Sequence, residues 1–206
     1  MRKVLNLYAG IGGNRKLWTD VEVTAVELNP EIAKIYQDFF PDDKVIVADA
    51  HQYLLEHYAD GWDFIWSSPP CPTHSEIRRC GVYRGQNIPV YPDMKLYEEI
   101  IFMATFGKCN YCIENVVAYY EPLVRPTEKI GHHYLWANYI ITPKSFDRNI
   151  IEKQKIGNGS FGFDIKKYKL KHRKDQILRN VVNPELGLHI FDMAFKHKQS
   201  TLENIE

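Results

Sequence analysis

The chain reads as an α/β fold, a mostly parallel sheet with helices on both faces. Three observations predict it. Short apolar runs alternate with segments of helical periodicity along residues 3–141, which implies parallel strands with crossover helices. The residues able to carry chemistry fall where those runs end, and open α/β sheets bind ligands beyond the carboxyl ends of their strands. The 206 residues are 45% apolar and include 13 Tyr and 10 Phe, enough for one packed core.

Val4–Tyr8 is the first strand, ending in Ala9-Gly10-Ile11-Gly12-Gly13, a glycine turn expected to lead into a helix. Val21–Glu27 is the second. Pro30 opens a helix carrying Ile32, Ala33, Ile35, Tyr36 and Phe39 at helical spacing. Val45–Ala48 is the third strand, Ala50–Tyr58 a helix, and Trp62–Trp66 the fourth strand, closed by Ser67-Ser68-Pro69-Pro70. Residues 71–92, with Gly81, Gly85, Pro89 and Pro92, read as a long loop. Lys95–Phe106 is helical, Tyr111–Glu114 a fifth strand and Tyr134–Ile141 a sixth. From Thr142 to Arg173 the chain turns polar, with Gly157, Gly159 and Gly162 around Phe161 and Phe163. Helical pattern returns from Val182 to about Lys198, with Pro184 near its start. The domain reading is one catalytic unit, 1–141 plus 174–206, carrying a small basic insertion at 142–173.

Formal net charge is zero, but its distribution is uneven. Residues 1–60 hold 10 acidic and 6 basic side chains, and residues 142–200 hold 13 basic and 6 acidic. The basic half suits a polyanion. No apolar run is long enough to span a bilayer, no signal-peptide core follows Met1, and four cysteines do not make a disulfide framework. The expectation is a cytoplasmic protein without membrane contact.

Glycines at Gly10, Gly12 and Gly13 let a ligand approach the backbone, with Ile11 between them. An acid ending the second strand, Glu27, is placed to accept ribose hydroxyls, and Asp49, ending the third, an adenine amine; alternatively each caps the helix that follows. The three strand ends taken together favour an adenosyl ligand, with Tyr8 packed on its base. Cys71 sits behind two prolines at the fourth strand's tip. A thiolate there can add to carbon 6 of a pyrimidine, giving carbon 5 the carbanion character to attack a methyl sulfonium. Glu114, with Asn115 and Val116, ends the fifth strand, and its carboxyl can bond N3 and the exocyclic amine of cytosine. Cys109 and Cys112 form a lone C-x-x-C, and no metal is expected.

These motifs, in this order and spacing, resemble the DNA cytosine-5 methyltransferase family: Asn6–Gly13, Glu27, Asp49, Pro69-Pro70-Cys71, Glu114-Asn115-Val116, and a last motif across Gln176–Leu186. The resemblance covers residues 3–141 and 174–198. It implies a Rossmann-like S-adenosylmethionine-dependent methyltransferase acting on a cytosine flipped out of duplex DNA. Cys71 would be the nucleophile, with Glu114 and Asn115 as its catalytic partners. Tyr8, Gly10, Ile11, Gly12, Gly13, Glu27, Leu28, Asp49, Ala50, Pro70, Asn180 and Val182 would line the S-adenosylmethionine site, the final helix packing back near the first. Ser75, Arg78, Arg79 and Arg84 on the loop, His132, His133, and Lys166, Lys167, Lys169 and Lys171 would meet nucleic acid.

Departures from the pattern are Asn6 for Asp, Pro72 for Gln, His74 for an aromatic, and Ile130-Gly131-His132-His133-Tyr134 where the family carries arginines. A histidine there would make the rate depend on pH near the imidazole range. Only residues 142–173 stand where the family inserts its recognition domain. Site specificity is therefore expected to be short, degenerate, or supplied by a partner or a second copy of the chain. The compact size points to a phage or prokaryotic modification enzyme. Two other readings remain: a cytosine-5 methyltransferase acting on RNA, and a non-catalytic accessory protein that binds cofactor or DNA.

Overall fold

The computed structural model describes residues 1–146, 160–171 and 173–196. In chain order it contains β1 (Arg2–Leu7), β2 (Val21–Glu27), α1 (Pro30–Phe39), β3 (Lys44–Val47), α2 (Ala50–His57), β4 (Phe64–Ser67), α3 (Glu76–Tyr83), α4 (Lys95–Phe106), β5 (Asn110–Val116), β6 (Glu128–Ile130), β7 (His133–Ala137), α5 (Lys174–Arg179) and α6 (Pro184–Phe195). The strands form one seven-stranded sheet in the order β3-β2-β1-β4-β5-β7-β6. Strands β1 to β5 are mutually parallel, and β7 runs antiparallel to both β5 and β6. The strand order reverses between β1 and β4, which places the ends of those two strands beside the crevice where such sheets bind ligands.

The α/β class and the mostly parallel sheet are as the alternation predicts. The central strands are apolar on both faces because helices cover both; all four residues of β4 are buried. Asn29 caps α1 through its side chain ahead of Pro30, and Asp49 caps α2. Among the described residues no helix is long and apolar enough to cross a membrane.

Four local expectations are corrected. First, no helix follows the glycine turn; residues 9–20 run as turns and bends. Helix α6 lies there instead. The Trp18 ring stacks on Phe191 with centroids 5.0 Å apart, and the Trp18 indole donates to the Gly187 carbonyl at 3.1 Å. A Cβ at Gly187 would fall 2.4 Å from the Asn14 carbonyl oxygen, so glycine lets α6 touch the turn.

Second, the stretch 71–92 contains α3. Ser75 caps it, and Gly81 sits inside it because a side chain would strike Asn87. Third, the sixth strand is a pair, β6 and β7. The ladder stops at Ala137 because Asn138 substitutes its side chain for a backbone partner, accepting from the Tyr111 amide and donating to the Cys109 carbonyl, each at 3.0 Å. Fourth, a short helix that the pattern did not show, α5, precedes the expected C-terminal helix, which is α6 and starts at Pro184.

The described part of the polar segment, 160–171, packs against α1. Phe163 meets Phe39 edge-on at 4.9 Å, and Tyr168 donates to Asp38 at 2.7 Å. Gly157, Gly159 and Lys198 lie outside the described residues.

Candidate active site

A cavity of about 770 Å³ opens at the carboxyl ends of the parallel strands. Its floor is the turn after β1, where Gly10 and Gly12 have positive φ, at 55° and 86°, as glycine readily allows, and Tyr8 is held at 54°, which a bulky residue rarely adopts. The position a Gly10 Cβ would take has no atom within 4 Å, so the bare backbone faces open space there. Gly10 N–H donates to one Glu27 oxygen at 3.0 Å, and Asn29 N–H to the other at 2.9 Å. Glu27 thus binds the glycine turn to the start of α1, and each of its oxygens keeps a lone pair beside the cavity.

Tyr8, Gly10, Ile11, Gly13, Glu27, Leu28, Asp49, Ala50, Pro70, Asn180 and Val182 all line this cavity. Gly12 does not. A Cβ there would lie 2.3 Å from the Phe40 ring, so this glycine serves packing. Gly13 is crossed by the C-terminal segment, with Val181 Cγ1 and the Val182 carbonyl each 2.5 Å from where a side chain would begin. Asp49 fills both roles offered for it: it caps α2 and lines the cavity. Burial acts to raise its carboxyl, but the Gln52 and His51 amides and Lys95, 3.6 Å away, outweigh that and hold it below the usual range.

Sequence reasoning missed the support beneath this floor. Glu99 of α4 is 1% exposed. It accepts from Tyr8 Oη at 2.5 Å and Ser67 Oγ at 2.6 Å, and it meets His51 Nδ1 at 3.0 Å. One carboxylate therefore ties the ends of β1 and β4 to α2 and α4. Burial, then the Glu99 charge, pushes the Tyr8 phenol far up, so it stays a donor. Asp93, Lys95 and Arg179 also line the cavity without having been expected. The only signal for Glu99 was an acid within the apolar periodicity of Lys95–Phe106.

Cys71, Glu114 and Asn115 line the same cavity. Trp66 Nε1 donates to Ser68 Oγ at 2.7 Å, and Ser68 Oγ donates to Glu114 Oε2 at 2.8 Å. His133 Nδ1 lies 2.5 Å from Glu114 Oε1. Asn115 spends its side chain inside the protein: Nδ2 donates to the Pro69 carbonyl and Oδ1 accepts from the Val116 amide. It positions the proline turn. Burial, then the Glu114 carboxylate, pushes the Cys71 thiol up to about 11. The thiol is held protonated, not activated in advance.

Of the residues expected to meet nucleic acid, His133 and Arg173, the latter from the basic run 166–174, line the cavity. Ser75 caps α3, Arg79 pairs with Glu76, and Arg78 donates to the Ile88 carbonyl at 3.2 Å. Arg84, just past α3, and His132 are exposed, as are Lys166, Lys167, Lys169 and Lys171 on the segment over α1. The Asn6 substitution is met by a second amide: Asn14 Nδ2 donates to Asn6 Oδ1 at 2.7 Å, and both are buried. His74 is fully buried with Nδ1 at 2.5 Å from Tyr120 Oη.

The family signature described as C-5 cytosine-specific DNA methylase matches residues 2–117, more than half of the chain. Solved structures with a similar fold include a DNMT2 mutant from Spodoptera frugiperda (23% identity, TM-score 0.40, 56% of this chain and 36% of that one). The Dnmt2 methyltransferase of S. pombe is 20% identical, with a TM-score of 0.41 over 56% of this chain and 34% of that one. A SAM-dependent methyltransferase from Agrobacterium tumefaciens is 14% identical, with a TM-score of 0.40 over 58% and 40%. The chain thus spans 34–40% of the length of these three. No curated protein matches it.

Proposed function

Because the chain belongs to the C-5 cytosine-specific DNA methylase family, we propose that it transfers a methyl group to carbon 5 of cytosine in DNA, through a covalent Cys71 adduct to a flipped base. The observation that carries this reading is the meeting of Cys71, Glu114 and the glycine turn in one cavity. The cofactor is S-adenosylmethionine, and the cavity fits it: Gly10 presents bare backbone to open space, and Glu27 and Asp49 stand at successive strand ends. Glu27 would hold the ribose hydroxyls, Asp49 the adenine amine, and the glycine turn with Asn180 and Val182 the remainder. When bound, S-adenosylmethionine supplies an electrophilic methyl group on a sulfonium.

The rest is performed by side chains of the chain. Cys71 forms the bond to carbon 6. Ser68 and His133 fix both oxygens of Glu114, so its carboxyl meets N3 and the amine without first having to be ordered. Asn115 keeps the Pro69-Pro70-Cys71 turn in place. A thiol held protonated spares the nucleophile from adventitious alkylation until a base arrives. The exposed lysines over α1 and the arginines around α3 would take phosphates. Site choice would come from a partner or a second copy.

Incorporation of labelled methyl groups into cytosine-containing duplex DNA, lost in Cys71→Ala, tests the proposal. Competition among duplex DNA, single-stranded DNA and tRNA distinguishes a DNA substrate from an RNA one. Cofactor binding with no adduct to 5-fluorocytosine DNA would instead mark an accessory protein.

A further inference from the structure

The Glu114 carboxylate is 7% exposed, while the His133 side chain beside it is 30% exposed. A carboxylate so enclosed needs a counter-charge or a shared proton. Among the described residues, the ion-pair partner of Glu114 is His133. His133 begins β7, opposite Val116 of β5 and Ile130 of β6. Among the described residues, the titratable and charged groups around it include Glu114 on β5, Cys71 in the same cavity, Glu128 and Lys129 on β6, and His132 next in sequence. Lys129 extends over the Tyr134 ring, 5.9 Å from its centroid. His132 is exposed and outside the cavity lining.

Resting on the reading of Glu114 as the group that meets the base, we propose that His133 holds the proton which Glu114 passes to N3 of the bound cytosine. As the Cys71 thiolate forms its S–C6 bond, the C5=C6 pair shifts to C4=C5 and the C4=N3 pair moves onto N3. The Nδ1 proton of His133 passes to Glu114 as Glu114 protonates N3, leaving a carboxylate and a neutral imidazole. After methylation the C5 proton leaves to solvent, the sulfur departs, and the N3 proton returns by the same path. His133 touches no reacting atom; it acts through Glu114 as a positioning and proton-holding residue. An arginine could supply the charge but not the proton.

Two measurements test this. NMR titration of the histidine-labelled protein, without substrate, should show His133 releasing its proton at lower pH in Glu114→Gln than in the wild type; an unchanged titration overturns the pairing. The second is the rate of adduct formation with 5-fluorocytosine DNA and S-adenosylmethionine from about pH 6 to well above the His133 midpoint. In His133→Arg the rate should climb about tenfold per pH unit as the thiolate fraction grows. In the wild type the climb should stop at the His133 midpoint given by the first measurement, above which the loss of imidazolium cancels the gain. His133→Asn should climb like the arginine variant from a rate about 100-fold lower. A wild-type profile that stays parallel to that of His133→Arg above that midpoint overturns the proton transfer. Absence of any wild-type adduct overturns the cytosine reading, and the substrate-free titration distinguishes that failure from failure of the pairing.

Discussion

Asn115 Nδ2 donates to the Pro69 carbonyl at 3.0 Å, which fastens the end of β5 to the turn that presents Cys71. The two residues are 46 positions apart, yet β4 and β5 are adjacent parallel strands, with Ser67 opposite Ile113. The nucleophile and the acid of the site are therefore placed by one side-chain amide as well as by the sheet.

Asn115→Asp keeps the shape and removes the donor. A buried carboxylate would then face a carbonyl oxygen. The expected cost is about 1–3 kcal/mol in urea unfolding. Adduct formation should slow by more than this loss of folded protein explains, because the Cys71 turn loosens. Unaltered stability and rate would refute the assignment.

Alkylation of Cys71 by iodoacetamide should rise steeply with pH, with a midpoint near the value of about 11 set by burial and Glu114. Glu114→Gln should lower that midpoint. The folded value lies above the ordinary 9.0, so the group stabilises the fold below pH 9 and this contribution fades as pH climbs from 9 towards 11. Mass spectrometry of the labelled peptide over a pH series reads the midpoint directly.

Glycines 10 and 13 separate ligand effects from packing. Gly13→Ala must displace Val181 and Val182, so both melting temperature and cofactor affinity should fall. Gly10→Ala meets no atom and carries only the strain of its positive φ, about 1 kcal/mol. Its Cβ projects into the cavity, so affinity should fall far more than stability. Calorimetry with S-adenosylhomocysteine beside thermal unfolding distinguishes the two. In the wild type, saturation at 100 times Kd should add about 2.7 kcal/mol of stability.

Glu99→Gln keeps the volume but removes the charge shared by Tyr8, Ser67 and His51. The hydrogen bond to Glu99 raises the His51 imidazole above its ordinary 6.5. That pairing stabilises the fold below the ordinary value and is lost as pH rises through the folded one. Unfolding measured on both sides of neutrality should show this pH dependence in the wild type and not in the variant.

Much of this molecule was legible because two periodicities are strong. Strands β1 to β5 carry apolar runs between polar ends, and Pro30, Asp49 and Lys95 mark helix starts. The site was legible because Glu27, Asp49, Cys71 and Glu114 all stand at strand ends, where sequence position fixes spatial position. What escaped depends on contacts distant in sequence. Helix α3 was hidden by Gly81, whose lack of a side chain is a packing choice toward Asn87. The absent helix after the glycine turn is set by residues some 170 positions later. Glu99 resembled any acid on a helix until Tyr8, Ser67 and His51 converged on it. Asn115 belonged to a recognisable motif, but its role needed Pro69 in view.

The stacking of Trp18 on Phe191 has a consequence for biogenesis. Strand β1 and its turn receive their cover from α6, some 170 positions later in the chain. On the ribosome, β1, β2 and β4 can pair early, yet one flank stays bare until residue 195 emerges from the exit tunnel. Chaperone dependence should track the integrity of α6 more closely than that of any strand.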